Sequence, residues 1–471
     1  MNNKGMNPYL PAWEYVPDGE PHVFGDRVYV YGSHDRFGGY AFCQNDYVCW
    51  SAPVADLKDW RYEGVIYSRR EAPHNEDSTL CLYAPDVTRG PDGRYYLYYS
   101  LNSSSIISVA VCDTPAGRYR YYGDVHHPDG TLLGAGEDDE YQFDPGVLTE
   151  GDTVWLYSGF CPPMIPGRTG AICYRLSRDM LTVQCTYPAI VPGAQTAKGT
   201  DFEGHAFFEA SSIRKVGERY YFIYSSELSH ELCYAVSDKP CEGFSYGGTL
   251  IDNADLGLCE TARYFTGNNH GSIEEINGSW YVFYHRHTNS SMFCRQGMFE
   301  PVEILPDGKI PQVEMTGCGP ESAPADAAAA GEIGAYHACN LYLTRPPMVD
   351  TNSGINPFPC ITQDGPDIDP DDDRKPESYI RNMTPGVTAG FKYLRFKGIT
   401  SVSVKTRGMC YYGGFEILLT PDGEPIGTVS AASGNEWKWQ STGLTIPDGV
   451  SGIYFRMKGY GSLSLAAVRF A

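Results

Sequence analysis

Over the first three hundred residues, short runs that alternate apolar and polar positions break at a glycine-containing turn and resume as aromatic-rich runs, five times over. The copies are PHVF, Gly25-Asp26, RVYVYGS; VTR, Pro91-Asp92-Gly93, RYYLYYS; PGVL, Gly151-Asp152, TVWLYSG; SSIRK, Gly217-Glu218, RYYFIYSS; and GSIEEI, Asn277-Gly278, SWYVFYH. A strand, a tight turn and a partner strand make a β-hairpin. The central aromatics Tyr29, Tyr96, Trp155, Tyr221 and Tyr281 follow one another at steps of 67, 59, 66 and 60 residues. A period near sixty leaves room for four strands, and a third strand shows in SVAVCDTPAGRY (108–119) and CYAVSDKPCEGF (233–244). Four-stranded sheets repeated about an axis form a β-propeller, because no single repeat can bury both of its faces. The pattern predicts an all-β chain with five blades over residues 1–320. Long helical periodicity is absent.

At 319–334 the composition shifts to GPESAPADAAAAGEIG, which predicts a linker over 321–335. Beyond it FKYLRFKG, SVSVKTRG, GGFEILLTPDGEPIGTVSA, NEWKWQSTGLTI, GIYFRMKG and SLSLAAVRF read as strands of a jelly-roll-like β-sandwich over 336–471. Trp437 and Trp439 flank Lys438, so both point to one face, where they either stack on a sugar or pack the core. Between linker and sandwich runs an acidic stretch, Asp367 to Asp373. Its alternating aspartates suggest a structural calcium, although the glycine and distal glutamate of an EF-hand loop are missing, and a solvated loop is the simpler reading.

Composition narrows the partners. A formal charge of −22 over 471 residues argues against nucleic acid and anionic membranes and favours a neutral ligand. The N-terminal MNNKGMNPYLPAW has neither a charged n-region nor an apolar h-region, and no apolar run reaches membrane-spanning length, so a soluble cytoplasmic protein is expected. Fifteen cysteines, odd in number, scattered and without a CxxC pair, are expected to be mostly buried free thiols. Nothing in the pattern sets an oligomeric state.

Each hairpin follows a polar anchor about ten residues ahead of its aromatic strand: Asp18, Asp86, Asp144, Glu209 and His270. A lone Asp at a strand start is usually a turn residue. Three acids at the same phase of a closed repeat, however, converge on one axis.

These motifs resemble glycoside hydrolase family 43, over about residues 7–318. The resemblance implies a five-bladed propeller with three essential axial acids. Asp18, ahead of VYVYGSHD, matches the position of the family's base; the usual Asp-Pro is replaced by Asp18-Gly19, which leaves Glu20, followed by Pro21, as a rival. Asp144 in FDPGVL resembles the Asp-Pro motif of the residue that tunes the acid, and Glu209 in FFEAS resembles the motif of the acid itself, with serine in place of proline. Tyr83-Ala-Pro-Asp86 resembles a Trp-Ala-Pro motif, with Asp86 structural. His270 resembles an axial histidine that contacts sugar or a metal ion, Arg295 a substrate-binding arginine, and His34 in GSHD is a weaker substrate-binding candidate whose alternative is a turn hydrogen bond. The C-terminal part is similar to family 6 carbohydrate-binding modules.

Hydrolysis of a glycosidic bond needs one carboxyl group that protonates the leaving oxygen and one that delivers the nucleophile. The resemblance implies an inverting exo-glycosidase that removes a terminal α-L-arabinofuranose or β-D-xylose from plant-derived oligosaccharides and requires no cofactor. In it Glu209 is the acid, Asp18 the base, and Asp144 a like charge that keeps Glu209 protonated. The alternatives are a non-catalytic carbohydrate-binding propeller, a glycosidase of the same fold acting on galactan or internal arabinan bonds, and a retaining relative of the invertase type, whose Glu-Cys motif is absent here.

Overall fold

Each of the five repeats folds as one antiparallel sheet around a common axis, in a computed structural model that describes residues 6–320, 324–343 and 358–471. The blades run over residues 20–67, 82–124, 146–192, 207–252 and 272–302. The first strand of each blade packs against the first strands of its neighbours, and the ring closes between blade five and blade one. A parallel bridge from Gly19 to Gly271 and a bond from the Val23 amide to Glu274 Oε1, 3.3 Å, tie that seam.

Four blades have four strands and the fifth has three, Ser272–Ile276, Ser279–His287 and Arg295–Val302. In place of a fourth strand the N-terminal segment lies along the outer edge. The Asn7 side chain imitates a strand residue there, donating to the Phe299 carbonyl at 2.8 Å and accepting its amide at 3.1 Å. Tyr9 then packs edge-on against Phe283 and Phe299. The aromatic strands do what their pattern predicts: rings such as Tyr31, Tyr98, Tyr157 and Phe222 are buried between blades. Burial of each is worth about 1.5–3 kcal/mol relative to exposure.

The second domain is one curled, ten-stranded hydrogen-bonded network. Two long strands, Ser401–Leu418 and Gly449–Phe470, run side by side through it and are shared by the strands on both flanks. A register shift between Tyr411 and Gly414 marks where the pair bends. Within the stretch read as a linker, Ala325–Asp326 and Glu332–Gly334 are strands of this network; residues 321–323 lie outside the described residues. The two cores are continuous, since Ile223 and Ile273 of the propeller share one apolar cluster with Ile380 and Phe391.

All fifteen cysteines are free thiols, and all but Cys185, Cys259 and Cys318 are buried. Trp437 and Trp439 each have a ring face covered by an arginine, Arg407 at 4.3 Å and Arg469 at 4.3 Å. In the Asp367–Asp373 stretch three carboxylates are held, two within the loop and one against the propeller, and Asp371 and Asp373 are exposed. Asp369 and Asp372 accept amides within the loop, and Asp367 binds Phe37 and Asn45 of the first blade. No helix of the described residues is long and apolar enough to cross a membrane.

Candidate active site

Asp18, Asp144 and His270 each stand two residues ahead of the inner strand of their blade, at the same end of the axis, and Glu209 lies in the inner strand Phe207–Val216. Asp18 and Asp144 have left-handed backbones, φ 57° and 45°, as does Ala210 beside Glu209, φ 67°. Such conformations cost energy and persist where the surroundings fix them, which happens often at functional sites. Gly146 shows how closely the blades meet here: a Cβ at that position would stand 2.5 Å from the Ser211 carbonyl oxygen.

The axial ends open into one cavity of about 390 Å³ lined by Asp18, Asp144, Glu209, Tyr83, His270 and Arg295. Of the residues singled out in the sequence, these six are therefore neighbours. Phe42, Phe143, Phe160, Phe208 and Met292 supply an apolar wall. His34 does not line the cavity. It pairs with Glu14, Nε2 to Oε1 2.9 Å, and its Nδ1 lies 2.9 Å from the Asp46 carbonyl oxygen. Burial would lower the pKa of its ring, but Glu14, the Asp46 carbonyl and Asp367 together push it up to about 9, so His34 is the cationic half of a structural pair.

Electrostatics divide the three acids. Burial would raise the Asp18 carboxyl, but Arg295 Nη1 sits 2.8 Å from Oδ1, and His285 Nδ1 is 3.2 Å from the same oxygen; together they hold Asp18 far below the usual carboxylate range. Arg295 is in turn aimed by Asp35, which takes a two-pronged contact of 2.8 and 2.9 Å. Planar pairing of this kind fixes orientation as well as charge. Glu209 behaves oppositely. Burial, and next the charge of Asp18, push it up to about 8 against the pull of Arg295, so it carries a proton at neutral pH. Its carboxyl makes no hydrogen bond among the described residues.

Asp144 is pushed up as well, first by burial and then by Glu209 and Asp18, while the Ala210 amide, 3.2 Å from Oδ2, favours its charged form. Asp144 and Glu209 thus ionise as a coupled pair. Burial, which the sequence could not show, contributes more to the protonation of Glu209 than the like charge expected of Asp144. His270 lies 3.6 Å from Asp144 and 4.0 Å from Asp18; burial pulls its pKa down to about 4, so its ring is neutral.

Deeper on the axis, Glu20 lies away from the cavity. It shares a buried cluster with Asp86, His22 and Arg214, whose guanidinium binds Glu20 at 3.0 Å and Glu274 at 2.8 Å. Burial pushes Glu20 and Asp86 each up to about 7. Glu20, His22 and Asp86 are close enough to share a cation, but Arg214 already brings positive charge to them. A second such group, His205, Glu231 and Cys233, is closed because Glu231 accepts hydrogen bonds from Ser226 and Thr249 and pairs with His205. The sequence did not single out Asp35, His285 or the phenylalanine wall. Asp35 adjoins His34 in GSHD, and Phe143 and Phe208 each immediately precede an acid.

The sequence model of the family described as Glycosyl hydrolases family 43 matches residues 14–310. The chain is 54% identical over 473 residues to a xylosidase/arabinosidase of Thermoclostridium stercorarium, covering 99% of this chain and 98% of that protein. It is 30% identical over 314 residues to a xylosidase/arabinosidase of Bacteroides ovatus, covering 59% of this chain and 87% of the other. Among solved structures, a family 43 β-xylosidase/α-arabinofuranosidase from a compost microbial metagenome, in a calcium-free complex with xylotriose, is 25% identical, with TM-score 0.52 over 66% of this chain and 97% of that one. An arabinoxylan arabinofuranohydrolase of Bacillus subtilis in complex with cellotetraose shares the fold over 99% of this chain and 97% of its own, at 21% identity and TM-score 0.52.

Proposed function

Because the chain belongs to glycosyl hydrolase family 43, we propose that its axial cavity is the active site of an exo-acting glycosidase that removes terminal α-L-arabinofuranose or β-D-xylose with inversion. The enzyme class is that of the xylosidase/arabinosidase to which it is 54% identical. The observation that carries the assignment of roles is the opposite electrostatic state of two acids in one cavity: Asp18 held ionised by Arg295, and Glu209 held protonated.

In this reading Glu209 gives its proton to the leaving oxygen while Asp18 takes one from the attacking water. As Glu209 becomes a carboxylate, Asp144 shares its returning proton, which fits two acids that titrate as a unit. Arg295 keeps the base charged, and neutral His270 offers the sugar a hydrogen bond without competing for Asp18. Phe42, Tyr83, Phe143, Phe160 and Phe208 exclude water and give the sugar ring apolar faces to pack against. Glu20 is left out as base, since Arg214 and Ser212 occupy its carboxylate away from the cavity. No step needs a cofactor. For a structural calcium the axis offers His270, a poor ligand for so hard a cation, and the group Glu20, His22 and Asp86, in which Glu20 Oε1 is unpartnered. Arg214 already pairs with Glu20 in that group, which leaves a divalent cation no uncompensated carboxylate pair there.

The expected result is hydrolysis of both nitrophenyl α-L-arabinofuranoside and nitrophenyl β-D-xyloside, with the first-formed xylose in the α configuration by proton NMR. Release of β-xylose first would mean retention, and sugar binding without turnover would leave only a lectin-like propeller.

A further inference from the structure

Two propeller loops make one wall of the cavity: residues 34–46 supply Phe42 and Cys43, and residues 288–294 supply Met292. Phe42 joins them, meeting Phe293 edge-on at 4.7 Å and lying 4.8 Å beneath the Arg295 guanidinium. Surface loops of this length are ordinarily the mobile parts of a fold. Here both are gripped from behind by the second domain.

On the first loop, Asp367 Oδ1 accepts the Phe37 amide at 2.9 Å and Oδ2 accepts Asn45 Nδ2 at 3.0 Å. Tyr15, whose ring stacks on Phe37 at 5.7 Å, donates its hydroxyl to Gln363 at 2.8 Å. On the second, the Asn289 amide donates to the Ile361 carbonyl at 2.7 Å, and Thr362 Oγ1 donates to Asn289 Oδ1 at 2.9 Å. Asn289 and Ser290 are consecutive left-handed residues, φ 54° and 50°. Two such residues in a row need fixing from outside, and the strand Cys360–Gln363 of the second domain provides it.

We infer that the second domain shapes the sugar pocket from behind, with Asp367 as a positioning residue that holds the 34–46 loop, and with it Phe42, against Arg295. The inference rests on the proposed function of the cavity. Asp367 touches neither substrate nor reacting atoms. It acts through two charge-assisted bonds to the part of the loop beyond Asp35, whose displacement would loosen the wall facing the glycone while Asp35, its amide on the Tyr15 carbonyl, stays on Arg295 and the three acids stay on their own blades. The effect should therefore fall on substrate binding more than on chemistry.

The test is steady-state kinetics on nitrophenyl β-D-xyloside together with thermal unfolding. Asp367→Ala is expected to raise KM about tenfold with kcat changed by less than about threefold. Asp367→Asn, which keeps an acceptor for Phe37 but turns an amide toward Asn45, should fall between it and the wild type. Thr362→Val, close in shape and acting on the other loop, should raise KM about threefold. If Asp367→Ala does not fold, the other two variants decide. Unchanged KM in every folded variant, whether or not Tm drops, would overturn the inference. A wild type inactive on all aryl glycosides would instead overturn the reading of the cavity on which it rests, so the two failures are separable.

Discussion

Glu209→Gln is expected to hydrolyse xylobiose about two to four orders of magnitude more slowly than the wild type, which is the range a positioned general acid contributes. The amide has the shape of the acid and cannot give up a proton. On dinitrophenyl xyloside, whose phenolate leaves without help, the same variant should lose less than about tenfold, because little protonation is needed in that transition state. Stability should change little, since the carboxyl makes no hydrogen bond among the described residues and the substitution removes no packing. An equal loss on both substrates would assign Glu209 a role in binding or structure instead.

Asp18→Asn is expected to cost about four orders of magnitude in kcat on xylobiose and on dinitrophenyl xyloside alike. Water must be activated whatever leaves, so the loss should not follow leaving-group acidity. That contrast separates base from acid within one pair of assays. The variant should still fold. Arg295 keeps its two contacts with Asp35, and the carbonyl oxygen of the introduced side-chain amide can accept the third, so the buried guanidinium is not stranded. A cost of about 1–2 kcal/mol in stability is the expected scale for exchanging a charged acceptor for a neutral one. Retention of more than about a tenth of wild-type kcat, far outside the range for loss of a general base, would return Glu20 to consideration.

Much of this site could be read from spacing because a propeller turns sequence phase into spatial position. Asp18, Asp144 and His270 occupy equivalent places ahead of their inner strands, so the repeat that predicted five blades also predicted that these residues would meet. Phase says nothing about side-chain direction within a turn. In GSHD it was Asp35, and not His34, that faced inward to Arg295, while His34 turned to Glu14. Nor does spacing report burial, which is the first cause of the protonated state of Glu209 and is supplied by phenylalanines from separate loops.

The second domain was legible as strands and illegible as a partner of the pocket. Asp367 and Phe37 lie 330 residues apart, with no shared repeat to link them, so nothing local showed that Asp367 would clasp the propeller, while Asp369 and Asp371–Asp373 are exposed, as a solvated loop would be. The arginines that cover Trp437 and Trp439, Arg407 from the neighbouring strand Ser401–Leu418 and Arg469 from Gly449–Phe470, are 30 residues away in sequence. Contacts of this kind depend on tertiary docking and leave no local pattern.

The division of charge between Asp18 and Glu209 is tested most directly by the pH dependence of kcat/KM for xylobiose, whose leaving group needs the proton, measured on the wild type and on Glu209→Gln. The protonated form of Glu209 is the active one, so wild-type kcat/KM should fall as pH rises through about 8, the pKa of the free enzyme's acid. Asp18 is ionised far below that range and adds no limb near neutrality. The account predicts that the alkaline fall is absent from Glu209→Gln. An alkaline limb that persists unchanged in the variant would contradict it.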